Sequence, residues 1–169
     1  MIYFFGFILF LLAQSAFELM VAKRHEKELK TRGGREVDID GYRVIVGMHS
    51  AFFVSLILEK VALVRPLNPE WLIFMSVFFA AQLLRYWAIH SLGIFWNTKI
   101  MIVPGHPIVR KGPYRYFRHP NYAAVITEFA VVPLIFSCYL TAVCFTIANA
   151  LLLGRRIRIE KNALASAKP

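Results

Sequence analysis

Between Gly112 and Tyr122 the chain reads GPYRYFRHPNY, which sets Arg115, Arg118 and His119 among Tyr114, Tyr116, Phe117 and Tyr122. The apolar run AAVITEFAVVPLIF follows at once. Pro120 suits the first turn of a helix, where its missing N–H is no loss. Asn121 and Tyr122 then present backbone N–H groups at a positive helix end, beside Arg118 and His119, and such a site accepts a carboxylate or phosphate. The rings offer faces to a planar base or a cation. An interfacial belt, with Arg and Tyr among lipid headgroups, accounts for the same residue types equally well. Downstream, Arg156 and Glu160 stand four apart in GRRIRIEKNAL, so on a helix they share a face and can pair. The plain alternative is a surface ion pair of about 0–1 kcal/mol. Arg158 and Lys161 fall on other faces and suit headgroup contacts.

Those residues sit in a chain built for lipid. Hydrophobic residues make up 58% of 169, with a mean hydropathy of +0.54. A soluble chain this short cannot bury that much apolar side chain, and here it comes in long blocks rather than at amphipathic spacing. The reading is an integral membrane protein forming a single domain over 1–169. The net charge of +10 raises nucleic acid as a partner, but 17 of the 20 Lys and Arg fall in Lys23–Arg43, Lys99–Arg118 and Arg155–Lys168. Topology can place those three segments on one face, so the positive-inside rule accounts for the charge, and no recognition motif accompanies it. Cys138 and Cys144 lie in apolar sequence without a metal or redox spacing, and no metal site is expected.

Positioning the chemistry requires five helices. Ile2–Ala22 is long enough to span; a cleaved signal peptide is disfavoured because no Lys or Arg precedes the apolar run and six follow it by Arg35. Tyr42–Val64 and Trp71–Ile89 are the next spans, joined by the turn RPLNPE. Residues 1–89 thus hold three N-terminal spans, 90–121 a basic, Gly/Pro-punctuated cytoplasmic loop, 122–154 a helical hairpin and 155–169 a cytoplasmic tail. Each arm of the hairpin is short for a full crossing, and Pro133 should bend the first. The fold expected is an all-α five-helix transmembrane bundle with the N-terminus outside and the C-terminus cytoplasmic. Glu18, His49, Arg85 and Glu128 fall inside spans, where charge is expensive and functional by default; pairing of Glu128 with Arg85 is the first expectation.

GPYRYFRHPNYAA followed by Glu160 in RRIRIEKNAL resembles the isoprenylcysteine carboxyl methyltransferase and phospholipid methyltransferase superfamily, whose hallmark is RHPxYxG, a hydrophobic hairpin and a Glu-Glu pair. LRYWAIHSLGIFWNTKIMIVPGHPIVRKGPY upstream is similar to the family's third helix and cofactor loop, so the likeness covers roughly residues 84–164. It implies an S-adenosyl-L-methionine site built from loop, hairpin and tail. The cofactor-binding set it implies is His106, Gly112, Tyr114, His119, Pro120, Asn121, Tyr122, Arg156 and Glu160, with Arg118, His119 and Glu160 at the chemistry. Ala124 stands where the motif has Gly, which narrows any close approach of backbone to cofactor. Lys161 stands in place of the second Glu and removes one carboxylate.

The activity implied is methyl transfer to a small lipophilic acceptor drawn from the bilayer, since no soluble domain is present to recognise a protein. An anionic carboxylate acceptor needs no base and can be oriented by Arg118. A hydroxyl or amine needs one, with His119 the first candidate. The acceptor chemistries in view are a carboxylate or acidic hydroxyl, as in an isoprenylcysteine or an alkylpyrone-like lipid. Rival readings are an NADPH-dependent membrane reductase of the sterol-reductase type, which shares an RHPNY-like segment but needs more spans, and a non-catalytic membrane scaffold. A prokaryotic cytoplasmic membrane suits the compact chain.

Overall fold

A computed structural model describes residues 1–105 and 109–166. Helix α1 (Ile2–Thr31) leads through strand β1 (Arg35–Val37) to α2 (Ile39–Ala62) and α3 (Trp71–Leu92). A 3₁₀ turn (Gly93–Phe95), strand β2 (Ile100–Ile102) and a second 3₁₀ turn (Gly112–Arg115) cross one end of the bundle. The hairpin of α4 (Pro120–Ile135) and α5 (Tyr139–Ser166) closes it. Among the described residues, α1, α2, α3 and α5 are long and apolar enough to cross a membrane; α4, at 16 residues, is the shorter apolar helix. The protein is an all-helical integral membrane protein.

The core lies where α4 meets the other helices. Phe129, Val132, Ile135 and Phe136 are buried against Phe4, Ile8, Phe52 and Phe78. Aromatic contacts do much of the fitting: Phe4 meets Phe136 edge-on at 4.9 Å, and Phe52 meets Phe129 at a tilt, 4.4 Å between centroids. Outward faces stay apolar, with Leu9, Phe10, Leu72, Leu83 and Leu151 exposed as lipid-facing side chains require.

Two features of the ends differ from the sequence-based expectation. Helix α1 does not stop at Ala22; it continues to Thr31, carried through the polar stretch by i,i+4 pairs Glu26–Lys30 and Glu28–Arg32, both in the favourable acid-first order. Residues 155–166 are not a separate tail, because α5 runs unbroken from Tyr139 to Ser166. The hairpin arms are therefore unequal. Pro133 lies in the last turn of α4, where the helix ends in any case. That end is a Schellman turn: Cys138 N donates to Pro133 O, Ser137 N donates to Leu134 O, and Ser137 takes the left-handed conformation at φ +57°.

At the opposite end, β1 and β2 form an antiparallel ladder with Glu36 opposite Met101. No strand was expected there. The ladder fastens the α1–α2 connection to the loop before α4. Asp38, left-handed at φ +61°, caps α2 by accepting from Gly41 N and also receives Arg155 Nη2 of α5 at 3.1 Å. Gly41 is required, since a Cβ there would lie 1.9 Å from the Asp38 carboxylate. Lys99 adds a second fastening, with Nζ 3.1 Å from Glu26 and 3.0 Å from Glu36. These two carboxylates outweigh the cost of partial burial and raise the Lys99 pKa above its usual value.

Candidate cofactor and acceptor site

Pro120 opens α4 at its first turn and is fully buried. Two residues further on, the Tyr122 side chain reaches α5. Its hydroxyl accepts from Arg156 Nε at 2.9 Å and donates to Glu160 Oε2 at 2.9 Å. Arg156 and Glu160 thus share a face as their spacing predicts, and the tyrosine oxygen bridges them. The rest of the Arg156 fork is held by Thr98, whose carbonyl oxygen accepts from Nη2 at 2.7 Å. His119 stacks flat on Tyr122, 5.2 Å between centroids and 3° between planes, with Nδ1 4.0 Å from Glu160 Oε2.

Below this cluster a cavity of about 510 Å³ descends between the helices. That volume is within the range of small-ligand sites, roughly 300–1,000 Å³. On α4 its wall is a single stripe at helical spacing: Asn121, Tyr122, Val125, Glu128, Phe129 and Val132. Thr98, Trp96 and Arg156 close the upper end, and α1 and α2 contribute Leu11, Glu18, Tyr42, Ile45 and His49 to the sides.

Deep in the cavity wall, Arg85 joins two carboxylates. Its Nη1 lies 3.1 Å from both Glu18 oxygens, and its Nη2 binds Glu128. Gln82 donates to Glu128 at 2.9 Å and accepts from Gln14 at 2.7 Å. The expected Glu128–Arg85 pairing is present, with Glu18 as its second acid.

The opening stretch divides by side. Tyr114, His119 and Tyr122 face inward, while Arg115, Tyr116, Phe117 and Arg118 are exposed. Arg118 is exposed, and like Tyr114, His119 and Glu160 it does not line the cavity wall. Tyr116 and Phe117, 74% and 61% exposed, suit the interfacial belt instead. Gly112 adopts φ +54° and presses against α3, where an added Cβ would stand 2.0 Å from Ser91 Oγ and 2.9 Å from Trp87 Nε1. It seats the loop rather than lining the cavity. Tyr114 is half-buried, and burial, reinforced by the negative charge of Glu160, raises its phenol well above the usual range. His106 lies outside the described residues.

The two departures from the motif have little reach. Ala124 is buried at 1% exposure and is not part of the cavity wall, so its methyl does not narrow the space. Lys161 is exposed and stands about 100° round α5 from Glu160. Among the described residues no group of His, Cys, Asp or Glu could hold a metal. Thr98 and Trp96 escaped sequence reasoning as wall residues. Thr98 contributes a backbone carbonyl, which leaves no mark in a side-chain pattern.

Comparison with known proteins bears on the same region. The chain is 44% identical over 157 residues to the uncharacterised protein YpbQ of Bacillus subtilis (strain 168), covering 93% of this chain and 94% of the relative. It is 28% identical over 160 residues to an uncharacterised protein of Haemophilus influenzae, covering 94% and 93% respectively. No solved structure matches. The profile of the isoprenylcysteine carboxyl methyltransferase family matches residues 71–166, which contain α3, both 3₁₀ turns, the Tyr122–Arg156–Glu160 cluster and the whole hairpin. With that match spanning more than half its length, the chain belongs to the isoprenylcysteine carboxyl methyltransferase family.

Proposed function

We propose that this protein is an S-adenosyl-L-methionine-dependent membrane methyltransferase acting on a small lipophilic acceptor, a carboxylate or acidic hydroxyl such as an isoprenylcysteine or alkylpyrone-like lipid. The observation that carries the proposal is the Tyr122 hydroxyl, held between Arg156 and Glu160 at the mouth of an otherwise largely apolar cavity. The residues fit the cofactor. Glu160 offers a carboxylate to ribose hydroxyls or an ammonium, and the stacked His119 and Tyr122 rings offer a flat face beside the N-terminus of α4. When bound, S-adenosylmethionine supplies an electrophilic methyl group on a sulfonium.

The chain's own part is alignment. Arg156 fixes Tyr122, Tyr122 fixes Glu160, and Thr98 prevents Arg156 from turning away, so the cluster is set before any ligand arrives. Such preorganisation matters because in-line displacement depends steeply on approach distance. The apolar walls exclude water, and the same cavity admits an alkyl chain from the bilayer. The basic segments orient the cluster toward the cytoplasm, with the N-terminus outside, in a prokaryotic cytoplasmic membrane.

Calorimetric titration of detergent-purified protein with S-adenosylhomocysteine tests this. Micromolar binding is expected, weakened at least tenfold in Glu160→Ala and in His119→Ala. Binding of NADPH in its place would assign the site to reduction, and well-folded protein that binds neither would leave a scaffold.

A further inference from the structure

The Arg156 fork is only as well placed as the Thr98 carbonyl that receives it at 2.7 Å. That carbonyl belongs to the peptide unit joining Thr98 to Lys99. A trans peptide is planar, with its N–H and C=O pointing in opposite directions, so whatever fixes the N–H also aims the carbonyl. The β1–β2 ladder does not reach this unit, since its register starts at Ile100. Lys99 N donates instead to a side chain, Asn97 Oδ1 at 2.9 Å, which closes an Asx turn around Thr98.

Asn97 is itself oriented from α1. Its Nδ2 donates to Ala22 O at 3.0 Å. A backbone N–H can only donate and a carbonyl can only accept, so the two partners together dictate which way the carboxamide faces. The residue before it is fastened to the same helix, with His25 Nδ1 donating to Trp96 O at 2.8 Å. Hydrogen bonds then run in series from α1 to Glu160: Asn97 gives to Ala22, Lys99 to Asn97, Arg156 to Thr98 and to Tyr122, and Tyr122 to Glu160. The series starts at residues that precede the family match. Position 97 needs an acceptor and a donor on one short side chain. Asp lacks the donor and Leu lacks both.

We propose that Asn97 is a positioning residue for the cofactor-binding cluster. By holding the Thr98–Lys99 peptide plane it aims the carbonyl that fixes Arg156, and through Arg156 it sets the Tyr122–Glu160 pair. In this role it acts through Arg156 rather than on the ligand. Its effect on the cofactor rests on the methyltransferase reading, whereas its effect on Arg156 rests on the hydrogen bonds alone.

Full-length protein labelled with ¹⁵N-arginine, in nanodiscs without cofactor, gives an Nε–H resonance for Arg156, assigned by its loss in Arg156→Lys. Asn97→Ala is expected to shift or broaden this resonance. Asn97→Ser, whose hydroxyl can receive the same Lys99 N–H, is expected to return it toward the wild-type position. Affinity for S-adenosylhomocysteine is expected to follow the same order, falling about tenfold in Asn97→Ala and about threefold or less in Asn97→Ser. Ser55→Ala removes a hydrogen bond to Thr141 at the other end of the bundle and controls for lost stability, leaving the resonance in place. Should Asn97→Ala not fold, Asn97→Gln replaces it with the same expected shift, because it moves the carboxamide one methylene away from Lys99 N. An Arg156 resonance unmoved by Asn97→Ala overturns the proposal. So do equal shifts and equal losses of affinity in the Ala and Ser variants, which would make Asn97 only a tether to α1. A resonance that follows the expected order in protein that binds no S-adenosylhomocysteine would retain the positioning of Arg156 and sink the methyltransferase reading.

Discussion

Tyr122 does work that the spacing of Arg156 and Glu160 does not reveal. Four residues apart on one helix, those two can touch directly; instead each meets the phenol oxygen of a different helix, which turns a local ion pair into a link between α4 and α5. The RHPNY block and Glu160 were legible as groups that converge, because a motif and an i,i+4 interval survive in one dimension. The bridging geometry was not, since it depends on how two helices face each other. Arg118 is exposed while its neighbour His119 is partly buried, a difference the motif does not encode. Tyr114 gives a residue-scale prediction. Its phenol is held above the ordinary range by burial and by Glu160, so the folded state prefers it neutral. Stability from this group is complete below the unfolded value near pH 10 and is lost as pH rises toward the higher folded one. An alkaline absorbance titration at the tyrosinate band should therefore show a late-ionising component that shrinks in Tyr114→Phe.

At the scale of elements, apolar blocks located every helix, but polar segments hid the ends. The α1 extension rests on Glu–Lys and Glu–Arg pairs, and the α5 extension on residues that read equally well as a separate tail. The β1–β2 ladder left no signal, because three residues a side are too few for alternation to stand out. The α4–α5 turn is more specific. Ser137 holds a left-handed backbone that glycine adopts without penalty, at 3% exposure and in a complete Schellman turn. Ser137→Gly is expected to stabilise the protein by about 1 kcal/mol, read as a higher thermal unfolding midpoint in detergent. The next helix start is secured from elsewhere: Glu59 on α2 accepts from Leu140 N, Thr141 N and Thr141 Oγ1, capping α5 with a carboxylate from another helix. Glu59 and its neighbour Lys60 are both buried near the end of α2, with Lys60 Nζ bound to Arg65 O.

Across the whole molecule, the buried Arg85 ties α1, α3 and α4 together through Glu18 and Glu128. Replacing it with Met leaves two carboxylates facing each other in a low-dielectric interior, and the expected loss is about 3–5 kcal/mol. Adding Glu18→Gln and Glu128→Gln to Arg85→Met should recover much of that loss in the same thermal assay, because the uncompensated charge is gone. The intramembrane position of these residues was visible in the sequence; the three-way join was not, as α1 and α4 lie far apart along the chain. The family-matched half and the N-terminal half share one cavity, so neither holds the complete site. One further property follows from the unequal hairpin. The 16 residues of α4 rise roughly 24 Å, short of a hydrocarbon layer of about 30 Å. With the Ser137 turn at one bilayer boundary, the Pro120 end lies several ångströms beneath the opposite headgroups unless the lipid thins to meet it. Acyl-chain length then sets how deep the Tyr122 cluster lies below the headgroups, and on the proposed methyltransferase reading the lipid composition of the host membrane becomes a control on apparent cofactor affinity.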